Sequence, residues 1–219
     1  MGAALRPNRV QARVCRQAVA EVLGDETAAA ILRQAAITDL PESLPASRRD
    51  LSALSKELQP FVDLYRALLS RTNRETALGI VRRAIVHSGA VSHAHDAAAQ
   101  REAAASAGLN LTTPPPAGFH AEPEELEREF TEAMRFFSCE GRLLAYTPEV
   151  VRFHITACNW CRAMEQAGTP ELIEFFCETD ERFMDHHPTH RLDLPTTIGR
   201  GGSHCDFRFV PRTEEGGHR

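Results

Sequence analysis

Thr197-Ile198-Gly199-Arg200-Gly201-Gly202-Ser203-His204-Cys205-Asp206-Phe207-Arg208-Phe209 is the run whose reading decides the fold. A β-branched entry meets a glycine cluster, and a short alternating segment leaves it. Glycine accepts positive φ at no steric cost, so Gly201-Gly202 between two strand-like runs predicts a hairpin. Successive side chains of the exit strand point to opposite faces. Cys205, Phe207 and Phe209 therefore share one face, and Asp206, Arg208 and Val210 the other. An aromatic face backed by a charged one suits a sheet that helices cover on one side.

Upstream, the same alternation predicts a strand over 150–158, where Val151, Phe153, Ile155 and Ala157 interleave with Arg152, His154, Thr156 and Cys158. Further strands are expected over 141–146 and 191–198, and helices over 122–137, 159–166 and 171–187. The N-terminal half reads as helical throughout. A helix over 8–38 is interrupted at Gly24, and Asp25 is the expected N-cap of its second part. A helical region over 48–70 is expected to break or kink near Pro60. Asn73 is placed to cap the next helix, whose stripe Ala77, Ile80, Val81, Ala84 and Ile85 should end at Gly89. The alanine-rich stretch 90–108, with His93, His95 and Asp96, reads as a solvated helix with incidental histidines. Three prolines at 114–116 mark a linker. The expected class is α+β: a helical region over 1–112, then a domain over 119–212 in which helices pack on one face of a small antiparallel sheet.

Composition narrows the partners. A chain of 219 residues, 42% hydrophobic, can bury a good core. A net charge of −5 without a dense basic patch argues against nucleic acid, and no apolar run is long enough for a membrane span. Six cysteines are too sparse for a disulfide scaffold, and the N-terminus lacks a signal-peptide core. A cytoplasmic protein with reduced thiols and a small-molecule partner is expected; assembly into a homo-oligomer is left open.

Asp180 is the most informative oddity, because it interrupts the apolar stripe Ile173, Phe176, Cys177, Phe183 and Met184. An ionised carboxylate there costs several kcal/mol unless it is paired or its pKa rises. A structural acid would hold an arginine or backbone amides. A catalytic one would keep acceptor capacity toward a pocket that also touches Cys205 or Cys177, the latter one helical turn away. Cys158-Asn159-Trp160-Cys161 forms a C-x-x-C, but a second pair is missing and Cys177 and Cys205 sit in apolar patterns, so no metal is expected. Redox work at the C-x-x-C is disfavoured because no βαβ unit surrounds it. His154, Asp206 and Arg208 lie on polar strand faces, either as a surface ion pair or as a pocket floor where Arg208 clamps a carboxylate.

The ending Gly201 through Phe209 resembles the C-terminal signature of the L-2-amino-thiazoline-4-carboxylic acid hydrolase family. Cys158 closing a strand, Cys177 with Asp180, Thr197, Gly201 and Cys205 through Phe209 fall in that family's order. Leu194-Pro195 stands where the family often has an arginine, and Cys161 lies outside the pattern. The resemblance implies a cofactor-free hydrolase that opens an aminothiazoline carboxylate to an N-carbamoyl cysteine. In that reading Asp180 is general base or amidinium holder, Cys205 or Cys158 the nucleophile with Cys177 beside Asp180, His204 a proton shuttle, and Arg208 the carboxylate clamp, with Asp206 and His154 near the substrate. The alternative is a non-catalytic ligand- or metal-binding module built on the same cysteines and histidines.

Overall fold

The computed structural model of the chain describes residues 7–35, 37, 51–103, 111–112, 114–115, 117–118, 120–185 and 190–212. Helix α1 spans Pro7–Leu23 and begins on a proline, whose missing N–H is one of the donors a first turn leaves unpaired anyway. Gly24 turns the chain at φ +80° into α2, Asp25–Gln34. Gly24 is thus the N-cap, and Asp25 sits inside the first turn, where its charge meets the positive end of the helix dipole. Helix α3, Leu51–Leu69, continues through Pro60 without the expected break. The side chain of Pro60 is buried, so packing holds a helix that the missing hydrogen bond weakens. Asn73 caps α4, Arg74–Ala103, as its spacing predicts: its Oδ1 accepts from the Thr76 N–H at 2.8 Å.

Helix α4 does not stop at Gly89. That glycine marks a close helix crossing instead. A Cβ there would overlap the Thr179 methyl group of α7, Ile173–Asp185. The side chains of His93, His95 and Asp96 lie outside the described residues.

The C-terminal part follows with α5, Pro123–Phe136; β1, Cys139–Thr147; β2, Val150–Cys158; and α6, Asn159–Gln166. A short 3-10 turn at Pro170–Leu172 leads into α7, and β3, His190–Asp193, and β4, Cys205–Pro211, complete the order. The sheet is antiparallel throughout in the order β1-β2-β4-β3. The fold is α+β, with helices first and the sheet after.

Strand β3 ends at Asp193, well short of the predicted 198, so β3 and β4 are joined by a long connection and not by a two-glycine turn. Local hydrogen bonds shape that connection. The Thr197 carbonyl accepts from Gly202 N at 2.9 Å, its hydroxyl accepts from Arg200 N at 3.1 Å, and Gly201 closes a 3-10 turn at φ +87°.

The face read for β4 is the observed one. Cys205, Phe207 and Phe209 join Val151, Phe153 and Ile155 of β2 in a core closed by Phe130 and Met134 of α5 and Met184 of α7. Phe153 stacks on Phe207 with ring centroids 5.0 Å apart and lies 5.6 Å from Phe130. Burying a large apolar side chain contributes roughly 1.5–3 kcal/mol, so this cluster holds α5 on the sheet. The N-terminal helices pack about a second cluster. It takes in Cys161, Ala163 and Met164 of α6 and Ile173 and Phe175 of α7. Helices α6 and α7 therefore have one side on the N-terminal helices, and their ends reach the sheet.

Candidate active site

Where α6, α7 and the inner face of the sheet converge, five cysteines meet one carboxylate. Cys158 is the last residue of β2 and the N-cap of α6. Cys139 opens β1 directly opposite it in register. Cys161 lies one turn into α6, Cys177 and Asp180 face inward from α7, and Cys205 opens β4. All are free thiols.

Their environments differ, and so do their acidities. The thiols of Cys139 and Cys161 stabilise the Cys158 thiolate, and the backbone N–H groups of Cys161 and Trp160 add to them against the cost of burial. Together they hold Cys158 well below the ordinary thiol range, the usual way a helix N-terminus activates a cysteine. Cys139 and Cys161 shift the opposite way for the same reason, since their protons serve Cys158. The Cys139 proton also has the Phe137 carbonyl at 3.4 Å as an acceptor. Burial raises Cys177 to about 12 and Cys205 to about 11. Cys205 Sγ accepts the Ile198 N–H at 3.3 Å, and the Thr197 hydroxyl faces Cys177. Gly199 permits that packing, because a Cβ there would come within 3.0 Å of Cys177 Sγ.

Asp180 is raised to about 7, first by burial, then by the charges of Cys158 and Glu181. It also acts electrostatically on Cys139, Cys177 and Cys205. Asp180 is half-buried, with protein packed densely about its carboxyl group. Among the described residues no donor is hydrogen-bonded to its carboxyl group. The neighbouring groove, about 690 Å³, runs between α4 and α7 and is lined by Arg82, Glu174, Glu178, Glu181, Arg182 and Arg200. No cysteine lines this groove; it adjoins the cluster through Glu181, next to Asp180 in sequence, and through Arg200. Glu181 holds Arg200 in a bidentate pair, both distances 2.8 Å, and Arg200 interacts electrostatically with Cys177.

The other predicted residues lie across the sheet. Asp206 and Arg208 point to the outer face with His154, and the His204 ring lies tilted against His154 with centroids 4.1 Å apart. Arg152 grips Asp206 through both oxygens at 3.0 Å, and Arg208 pairs with the same carboxylate. These cations hold the Asp206 pKa far below the carboxylate range even though burial opposes them. His154 Nε2 is 3.5 Å from Asp206 Oδ1 and makes no hydrogen bond. Burial and then His204 lower its pKa. The sheet thus separates Asp180, Cys177 and Cys205 from His154, His204, Asp206 and Arg208. Cys158, which strict alternation in β2 would put beside His154, joins the inner side instead, because a bulge leaves Thr156 without a register partner in β1 and breaks the alternation.

Sequence reasoning missed Cys139, Arg152 and Arg200 as site neighbours and set Cys161 aside. Arg152 shares the alternation that exposed His154, and that was its available signal. Cys139 and Arg200 become neighbours of the cluster only through strand pairing and the folded connection. Among the described residues no group of three or more His, Cys, Asp or Glu is arranged to hold a metal ion.

The L-2-amino-thiazoline-4-carboxylic acid hydrolase family model matches residues 53–209, well over half of the chain and all of the thiol cluster. The chain belongs to that family. No curated protein matches it. Among solved structures, the Fe(II) unliganded H-NOX protein from K. algicida and a mutant of it each align over 96% of this chain and 98% of theirs. Identity is 10% and the TM-score 0.43 in both, too low to carry an argument. No helix among the described residues is long and apolar enough to cross a membrane.

Proposed function

We propose that this family member is a hydrolase that opens a small cyclic amidine carboxylate of the aminothiazoline type. One arrangement carries the reading: Cys158 at the start of α6 and the Asp180 carboxyl of α7 meet in a single cluster, which holds the thiol below its ordinary pKa and the carboxyl above its own. Groups pushed apart in this way divide the work of nucleophile and proton carrier.

In the proposed reaction the Cys158 thiolate adds to the amidine carbon. The ring carbon–sulfur bond then breaks, and protonated Asp180 gives its proton to the departing sulfur. The chain now carries an S-linked isothiourea. Asp180, ionised by that transfer, takes a proton from water as the water adds to the same carbon, and expulsion of Cys158 yields the N-carbamoyl thiol. One water is consumed, and both residues return to their starting states. Arg200 is the cation we assign to the substrate carboxylate, since it sits on the thiol side of the sheet beside Cys177. Its pair with Glu181 would open to accept that carboxylate. Cys205 and Cys177, with raised pKa values, shape the pocket wall.

The test is turnover of L-2-amino-thiazoline-4-carboxylate, followed as N-carbamoyl-L-cysteine by mass spectrometry. Cys158→Ser and Asp180→Asn should each lose about 10²–10⁴-fold in kcat with the far-UV spectrum unchanged, while Cys205→Ser keeps most activity. Wild-type turnover in folded Cys158→Ser would end the nucleophile assignment. Absence of turnover by the wild-type chain on a panel of cyclic amidines would end the reading as a whole.

A further inference from the structure

Three of the five clustered thiols have an arrangement that hydrolysis does not require. Cys158 and Cys161 occupy the N-cap and the third position of α6, side by side on its first turn. Cys139 stands opposite Cys158 across the β1–β2 ladder. The Asn159 N–H bonds to the Ser138 carbonyl at 3.1 Å, on the far side of both residues. That pattern makes Cys139 and Cys158 a non-hydrogen-bonded pair, the kind whose side chains lie closest. Paired Cα atoms about 4.5 Å apart fall within the range a disulfide spans. Cys158 and Cys139 are partly exposed and Cys161 is buried, so a reagent meets Cys158 before Cys161. The missing βαβ unit, which argued against redox work, is replaced by a strand that delivers the C-x-x-C directly onto a helix N-terminus.

We propose that Cys158, with Cys161 and Cys139 as its two resolving thiols, is a hydroperoxide-reducing dithiol centre. The Cys158 thiolate attacks the distal oxygen of the hydroperoxide. An S–O bond forms, the O–O bond breaks, and the departing alkoxide or hydroxide takes up a proton to give alcohol or water. The sulfur is oxidised by two electrons to a sulfenic acid. The Cys161 or Cys139 thiol then loses its proton as its sulfur attacks Cys158; the S–O bond breaks, and hydroxide leaves as water. A small dithiol returns the disulfide to two thiols. The reaction needs no heterocyclic substrate, so it stands or falls apart from the hydrolase reading.

The experiment treats the full chain with a few equivalents of hydrogen peroxide, blocks the remaining thiols, and maps the linked peptides. The expected result is loss of two of the six thiols, a disulfide joining Cys158 to Cys161 or Cys139, and full recovery with dithiothreitol. Cys15, buried among the N-terminal helices, stays free. The Cys139→Ser/Cys161→Ser double variant should stop at a sulfenic acid on Cys158 that a cyclic dione traps, and Cys158→Ser should lose no thiol. The rate should change less than about twofold between pH 8 and pH 6, whereas an ordinary thiol slows roughly 75-fold. A disulfide that excludes Cys158, a lasting sulfenic or sulfinic acid on wild-type Cys158, or six unreacted thiols would overturn the proposal. The wild-type map decides even if a variant fails to fold.

Discussion

Replacing Gly89 by alanine should destabilise the protein through one side chain, Thr179, and the cost should vanish when that side chain is shortened. Alanine is the better helix former by about 1 kcal/mol, so on an open helix face the change would stabilise. Here a Cβ on Gly89 overlaps the Thr179 methyl group and lies 3.1 Å from both Thr179 Cβ and Oγ1. Thr179 is buried, and its hydroxyl donates to the Phe175 carbonyl at 3.0 Å, so the methyl cannot swing aside freely. Overpacking of this kind costs about 1–3 kcal/mol, leaving a net loss of about 1 kcal/mol. In a Thr179→Ala background the overlap is gone, and the remaining 3.1 Å approach needs a shift of a few tenths of an ångström. Gly89→Ala should then be neutral or stabilising by up to about 0.5 kcal/mol, a coupling energy of about 1–1.5 kcal/mol. Urea unfolding of the four proteins measures it: with m near 2 kcal/mol/M, the single variant's midpoint falls by about 0.5 M. Equal effects of Gly89→Ala in the two backgrounds would refute the contact argument.

Asp180→Asn should raise stability at pH 8 by up to roughly 3–4 kcal/mol and by almost nothing at pH 4. The folded carboxyl titrates near 7 and the unfolded one near 3.9, so between these values the folded chain binds more protons and wild-type stability falls as pH rises. Urea midpoints across pH 4–8 test this, and a flat difference between the two proteins would contradict it. Asp206 runs the other way. Its depressed pKa contributes stability above the unfolded value near 4, lost as pH falls further, so Asp206→Asn should destabilise at pH 7 and flatten the acid limb of the stability curve. An unchanged acid limb would show that the Arg152 and Arg208 pairs contribute nothing. Phe130→Ala, at a fully buried position between α5 and Phe153, should cost about 3–5 kcal/mol, and a loss under 1 kcal/mol in urea would mean that α5 does not rest on this ring.

The strands and helices nearest the site were legible because their patterns are local. Residues 150–158 and 159–166 match the observed bounds, since the alternation of β2 from Val151 to Ile155 and the helical grammar of α6 need no distant partner. The bulge at Thr156, which moves Cys158 to the other face, is set by pairing with β1. The inward face of Cys205, Phe207 and Phe209 followed from pleating alone. Asp180 was legible as a conflict, a charge on an apolar stripe, and the family order of cysteines followed from sequence spacing. Punctuation misled where packing outweighs propensity. Pro60 stays inside α3 because its turn is buried, and Gly89 continues α4 because a close helix crossing needs a residue without a side chain. The remaining decisions were tertiary. Which thiol is activated depends on strand register, which sets Cys139 opposite Cys158, and on the N–H groups at the start of α6. Which face each polar group serves depends on the sheet lying between them. Asp206 and Arg208 flank Cys205 and Phe207 in sequence yet lie on the opposite side, because neighbours along a strand point apart while residues far apart in the chain meet on one face.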